Sequence, residues 1–430
     1  MIGLRFAPSR FFTEALLKVL LYMFAFLLPF DGIVGRLGIG FLGGIKVLGA
    51  LIAFGLMVHV LAFPRHFAHL VKNLFSPISW LALLFVMWNL ASVLWALDAE
   101  WALSRVVTYL GMFTVMQALG FLGPRDVETL WVLTLVGFAI SLPLGFVLPP
   151  PTDIIAESGR FTSGGSDPND YAVKIVVTIA VVLNGVLLLT KGRSILYKSF
   201  LSIAIAMSSV AVLLSLSRTG LVTLVLVVLA SFYLSLRKSA GIAILALTVI
   251  LGLGVLGVWV FQDDFTDMLE RYATLGNIGQ EDTWAGRVDI WLAALKVFSE
   301  SPWIGVGAAN FATVSPEYSP TAAYIASMRE DGGGGVAHNM FLSVAAETGV
   351  VGLVLFLALL SSVFWSGWVL TRRGCSLAHG LLVGYFVYLV GGLTLTWEYQ
   401  KIGYFLFGSL LALGNREGAE NKTERHKGHP

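Results

Sequence analysis

N-M-F-L-S-V-A-A-E-T-G-V-V-G-L-V-L-F-L-A-L-L-S-S-V-F-W-S-G-W-V, residues 339–369, holds one ionisable side chain, Glu347. About 20 apolar residues cross the hydrocarbon core of a bilayer as a helix, so this stretch reads as a membrane span. Similar runs lie near 14–30, 37–63, 78–97, 104–122, 127–149, 170–190, 195–216, 219–236, 240–261, 377–396 and 400–414. They are unbroken and do not alternate with period two, which favours helices over a membrane β-barrel. Composition agrees: 57% of residues are hydrophobic and 13% charged, against about 25% charged in soluble proteins. The expected fold is an all-α polytopic membrane protein, about twelve transmembrane helices in a single integral membrane domain over residues 1–430.

Basic residues set the expected orientation, because cytoplasmic segments carry the excess of Lys and Arg. With the N-terminus inside, Arg65, Lys72, Arg125, Lys191, Arg193, Lys198, Arg237, Lys238, Arg372 and Arg373 fall on the cytoplasmic side. Both termini are then cytoplasmic. Arg5, Arg10 and Lys18 precede the first run, and no small-residue cleavage site follows Phe30, so that run is expected to be a retained span. The net charge of +2 selects no partner, and no basic stretch interleaved with aromatics suggests nucleic acid. The single cysteine, Cys375, excludes an internal disulfide and a cysteine metal cluster.

One connection stands apart. Residues 262–337, between the ninth and tenth spans, form a long outer loop, whereas the others run to about 20 residues or fewer, and long loops in compact proteins are usually functional. Phe265, Met268, Leu269, Tyr272 and Leu275 recur at helical spacing, as do Trp284, Val288, Trp291, Leu292, Leu295 and Phe298. Both sets predict short amphipathic helices lying on the membrane face or on the bundle. Ser301-Pro302 should end the second, with Gly305 and Gly307 making the next turn.

The informative charges are those on the outer side. Arg218, in the tight hairpin S-L-S-R-T-G (215–220), sits at the interface as a snorkelling cation or as a phosphate clamp. Arg287 lies early in its helix, where the dipole favours anions, so it is either salt-bridged to Asp289 or Glu281 or part of an anion site. Arg160 belongs to the second outer loop of note, 157–171, where Asp167 or Asn169 should cap the following helix. His338 follows four glycines at a helix start, which favours the neutral imidazole that accepts protons. Asn339 orients it or caps the helix. Glu347, a carboxylate within the apolar layer, is functional or arginine-paired. Asp263, Asp264, Asp267 and Glu270 form an outer acidic cluster explained by helix capping and solvation. No zinc-ligand spacing, phosphate-binding P-loop or dinucleotide fingerprint occurs.

G-R-F-T-S-G-G-S-D-P-N (159–169), S-R-T-G (217–220), G-R-V-D-I-W (286–291), S-P-W-I-G-V-G-A-A-N-F (301–311) and H-N-M-F-L-S-V-A-A-E-T-G (338–349) together resemble the O-antigen ligase family. This family of polytopic inner-membrane glycosyltransferases is grouped with O-antigen polymerases and certain protein O-oligosaccharyltransferases. The resemblance implies a C-type glycosyltransferase architecture in the bacterial inner membrane with a periplasmic active site. It implies a donor polysaccharide on undecaprenyl diphosphate and a lipid A–core acceptor, with no metal, nucleotide or other cofactor. It places catalytic roles on Arg218, Arg287 and His338, and Arg160 matches the first-loop arginine. Arg160, Asn339 and Glu347 are the expected substrate contacts. A lipid-glycan flippase or transporter is the competing class. Such a protein should carry inverted repeats and midplane charges, whereas the charges here gather at one face.

Overall fold

The computed structural model describes residues 10–30, 44–147, 160–163, 167–188, 192–236, 282–329 and 332–427. Its helices are α1 (Arg10–Leu27), α2 (Gly44–Ala62), α3 (Pro64–Leu74), α4 (Pro77–Ser92), α5 (Ala99–Leu119), α6 (Pro124–Val147), α7 (Pro168–Val182), α8 (Ile195–Leu214), α9 (Arg218–Leu236), α10 (Asp282–Glu300), α11 (Pro320–Met328), α12 (Met340–Arg372), α13 (Ser376–Gly392) and α14 (Lys401–Lys427). Short helical turns add to these, and no strand occurs among the described residues. The chain is an all-α polytopic membrane protein. Among the described residues six helices are long and apolar enough to cross a bilayer, or seven if the bent pair α3–α4 is one span, and Lys46–Ala62, Arg218–Tyr233 and Ser376–Gly392 are shorter apolar helices. A helix occupies every expected position that falls within the described residues. The 240–261 run, the first amphipathic segment and the 263–270 acidic cluster lie outside them.

Local chemistry sets the helix starts. The side chains of Ser76, Asp98, Asp167, Ser194 and Asn339 cap α4, α5, α7, α8 and α12 by accepting backbone N–H bonds. Proline holds the first turn of α3, α4, α7 and α11. Helix α7 is central, buried throughout Ala172–Val182 and packed by α6, α8, α9 and α13. Polar bonds lock neighbouring helices where water is absent: Gln117 Nε2 donates to Ser79 Oγ at 3.0 Å and Trp131 Nε1 to Ser409 Oγ at 3.0 Å.

Three features depart from the apolar count. Residues 64–74 form a helix where a plain connection was expected, turned 75° from α4. Phe67, Leu70, Val71 and Leu74 alternate there with Arg65, His66, His69 and Lys72, the pattern of an amphipathic helix too short to span. Helix α13 ends at Gly392 rather than 396, and residues 393–400 turn back before α14. Their L-T-L-T-W sequence looks apolar by composition but makes turn bonds, Leu393 N–H to Val390 O and Thr394 N–H to Gly391 O.

The third is the opening stretch itself. Helix α12 breaks at Gly349, whose φ of 67° and ψ of −168° no helix accommodates. The turn after α10 fills the break. Val306 and Gly307 N–H donate to Ala346 O (3.1 Å) and Glu347 O (2.8 Å), and Val350 N–H donates to Pro302 O (2.7 Å). Trp88 Nε1 takes Thr348 O at 2.9 Å. Unsatisfied backbone groups in a membrane cost several kcal/mol each, so the break and the S-P-W-I-G-V-G turn require one another. A methyl on Gly349 would overlap the Trp303 carbonyl. Gly349→Ala should therefore lower stability by on the order of 3 kcal/mol. Gly111→Ala in α5, with open space around it, should leave the thermal midpoint in detergent unchanged or slightly higher.

Candidate functional site

The loop motif that fills the break also docks on the α4–α5 corner. Ala308 N–H donates to Ser92 Oγ at 3.0 Å, and Asn310 clasps Asp98, accepting from its N–H (2.6 Å) and donating to its carbonyl (3.0 Å). Helix α10 then lies along α12 through Ile290, Ala293, Ala294 and Val297, which cluster with Phe311 and Ala346. Val288, Leu292 and Leu295, from the large-residue stripe read in the sequence, face outward. The helix thus packs on the bundle through Ile290, Ala293, Ala294 and Val297 and presents Val288, Leu292 and Leu295 outward. Trp284's side chain lies outside the described residues.

This seating brings Arg287 towards the hairpin and towards His338. Burial lowers the Arg287 pKa from its ordinary value; Asp167 opposes this and the charge of Arg218 adds to it. Burial likewise depresses His338, to about 4, with Arg287 adding and Asp167 opposing. Arg287 therefore acts electrostatically on Arg218, His338 and Asp167, and Asp167 on His338, although the four come from separate segments. Asp289 is not the partner of Arg287, since its carboxylate is engaged by the Ser319 hydroxyl and the Thr321 N–H. Glu281 lies outside the described residues. Among the described residues Arg287 has no ion pair. Its half-buried guanidinium feels the carboxylate of Asp167 first and the cation of Arg218 second, and its planar fork is suited to gripping an anion.

His338 has a φ of 49°, in the left-handed region rare for such a side chain, and its N–H donates to Thr396 Oγ1 at 3.0 Å. Burial, more than the helix start, accounts for its neutrality. Asn339 caps α12, accepting from Phe341 and Leu342 N–H at 3.0 and 3.1 Å, while its amide donates to Leu393 O at 3.1 Å. Arg160 holds the hairpin: Nε donates to Ser215 O at 3.1 Å, and the guanidinium reaches Asn169 Oδ1 at 2.8 Å. Asp167, rather than Asn169, caps α7.

Glu347 lies in a second cluster. Its carboxylate accepts the Ala309 N–H at 2.8 Å and faces Arg105 at 4.0 Å. Arg105 also reaches Glu398 at 3.4 Å and stacks 3.7 Å from the Tyr399 ring centre. Glu398 accepts from Ser343 at 2.9 Å. Burial raises its carboxyl to about 8 against the pull of Arg105, as expected where one guanidinium serves two enclosed carboxyls. The sequence reading missed Arg105 and Glu398. Both were open to the argument that singled out Arg218, being charges at the ends of apolar runs.

Residues 203–357 match the model of the family described as O-antigen ligase. A protein of Salmonella muenchen named O-antigen polymerase is 27% identical to this chain over 259 residues, covering 58% of the chain and 53% of that protein. The chain thus spans about half the length of the curated relative it matches. Both fall in the superfamily that the motifs resemble. The matched family region contains Arg218, Arg287, His338, Asn339 and Glu347. Arg160, Arg105 and Glu398 lie outside it.

Proposed function

We propose that the protein is an O-antigen ligase of the bacterial inner membrane, a reading supported by the match of residues 203–357 to the O-antigen ligase family model. In this reading the termini are cytoplasmic and the loop 262–337 is a periplasmic insertion in a single membrane domain. The enzyme moves O-antigen polysaccharide from undecaprenyl diphosphate to a hydroxyl of lipid A–core. The observation that supports the proposal is that Arg287 lies within electrostatic reach of both Arg218 and His338, on three separate segments.

The acceptor oxygen attacks the anomeric carbon and the carbon–oxygen bond to the diphosphate breaks. The bonding pair leaves on the diphosphate oxygen, and His338 takes the hydroxyl proton. Fixed cations aimed at the developing charge accelerate such a step, which is the role of Arg218 and Arg287, with Arg160 bracing the hairpin beside them. A neutral, partly accessible imidazole suits the base. Direct attack inverts the anomeric centre. Asn339 and Glu347 serve the substrate through the backbone they hold, at the start of α12 and at Ala309.

The Salmonella relative's name favours one second reading, an O-antigen polymerase with the same chemistry and a growing glycan as acceptor. Expression in ligase-null and polymerase-null Gram-negative strains separates the two. Long-chain polysaccharide on lipopolysaccharide in the ligase-null strain is the expected result, and rescue of the polymerase-null strain alone would overturn the ligase assignment.

A further inference from the structure

The segment L-T-L-T-W-E-Y, residues 393–399, touches the segments that carry Arg218, His338 and Asn339 and the start of α7. The Leu393 carbonyl accepts from the Asn339 amide. The Thr394 hydroxyl bonds to that of Thr219, beside Arg218, at 2.9 Å. Thr396 accepts the His338 N–H at 3.0 Å. Trp397 Nε1 donates to Asp170 Oδ1 at 2.8 Å, in the first turn of the helix that Asp167 caps. Glu398 and Tyr399 grip Arg105 and Ser343, fixing the segment to α5 and α12.

We propose that residues 393–399 are a positioning strap in which the Thr396 hydroxyl holds the His338 backbone and the Thr394 hydroxyl holds the Arg218 hairpin. The proposal rests on the reading of His338 as the base and Arg218 as a diphosphate ligand. The left-handed backbone of His338 is costly for a non-glycine residue and persists only where its surroundings over-determine it. Its N–H would otherwise be a buried donor without a partner. Thr396 meets both demands from a segment outside the matched family region. With His338 held in place, its ring lies within electrostatic reach of Arg287 from α10 and Asp167 from the start of α7. The strap thereby keeps the ring in the enclosed position that, with Arg287, holds it neutral. Thr394 lies two residues away and acts on a different segment, so the two threonines should have separable effects.

The experiment compares Thr396→Val, Thr396→Ser and Thr394→Val with wild type in reconstituted membranes. It reads kcat, the KM for the diphosphate-linked donor, and the pH midpoint of His338 carbethoxylation by diethyl pyrocarbonate, followed by peptide mass spectrometry. Small misplacements of reacting groups cost about 10²-fold, so Thr396→Val should lose roughly that factor in kcat. Its His338 midpoint should rise towards the ordinary 6.5. Thr396→Ser, which keeps the hydroxyl, should stay within about threefold of wild type. Thr394→Val should raise the donor KM roughly tenfold and leave the His338 midpoint unmoved. Equal losses in Thr396→Val and Thr396→Ser, or an unchanged His338 midpoint in Thr396→Val, would overturn the strap. Should Thr396→Val not fold, Thr394→Val decides: a shift of the His338 midpoint there means a general loosening and refutes separable positioning. Carbethoxylation needs no turnover, so a wild type without transfer defeats the function reading while this measurement still judges the strap.

Discussion

His338→Ala should abolish glycan transfer, lowering it by about 10²–10⁴-fold, the range that a positioned general base contributes, with expression and thermal stability retained. The imidazole is held near a pKa of 4 by burial and by Arg287. As the pH falls, the base is lost only when the ring takes a proton in the folded enzyme. Transfer rates should therefore be level from about pH 8 to 5 and fall tenfold per pH unit below about 4. An ordinary histidine would break near 6.5. The same shift bears on stability with a definite sign. Between 6.5 and about 4 the unfolded chain binds the proton and the folded chain does not, so this group's contribution declines as the pH falls through that window. A rate profile breaking near 6.5 would show that the ring is solvated during turnover and would remove the argument for a buried base.

Arg287→Lys should cost about 10²–10³-fold in kcat, the loss typical of removing one oxyanion donor, although the charge is conserved. A guanidinium offers two parallel donors in a plane, whereas an ammonium is a flexible point charge. The substitution leaves the nearby fold undisturbed, because Asp289 is already satisfied by Ser319 and Thr321 and α10 packs through Ile290, Ala293, Ala294 and Val297. The readout is undecaprenyl diphosphate released per enzyme at saturating donor. Release at the wild-type rate would sink the clamp.

The sequence made parts of this site legible and hid others for physical reasons. Arg218 and Arg287 stand out in the sequence because arginines expected on the outer side of a membrane protein go against the orientation rule, and His338 because it follows a glycine-rich approach at a helix start. The end of α10 and the turn at Gly305 and Gly307 were visible because proline and glycine have local meaning. The break at Gly349 was not, since a hydropathy count sees only an apolar run. What allows the break is a set of backbone groups supplied by residues 302–307, far away in sequence. The strap was hidden in the same way, as L-T-L-T-W reads as the end of a span until its hydroxyls are seen to face Thr219 and His338. Glu347 was foreseen as arginine-paired or functional, but its partner went unnamed, because nothing in the sequence says which charge at the end of an apolar run packs against it.

The central claim is that Arg218, Arg287 and His338 form one metal-independent transfer site. Its most direct test is transfer by purified protein in defined lipid with chelator present. The donor is glycan on undecaprenyl diphosphate, the acceptor is lipid A–core, and diphosphate release and glycan product are quantified together. The account predicts one undecaprenyl diphosphate per glycan transferred by wild type. It predicts an inverted anomeric linkage in the product, and loss of both signals in folded Arg287→Lys and His338→Ala. Wild-type transfer by either variant, or a retained anomeric configuration, would contradict it.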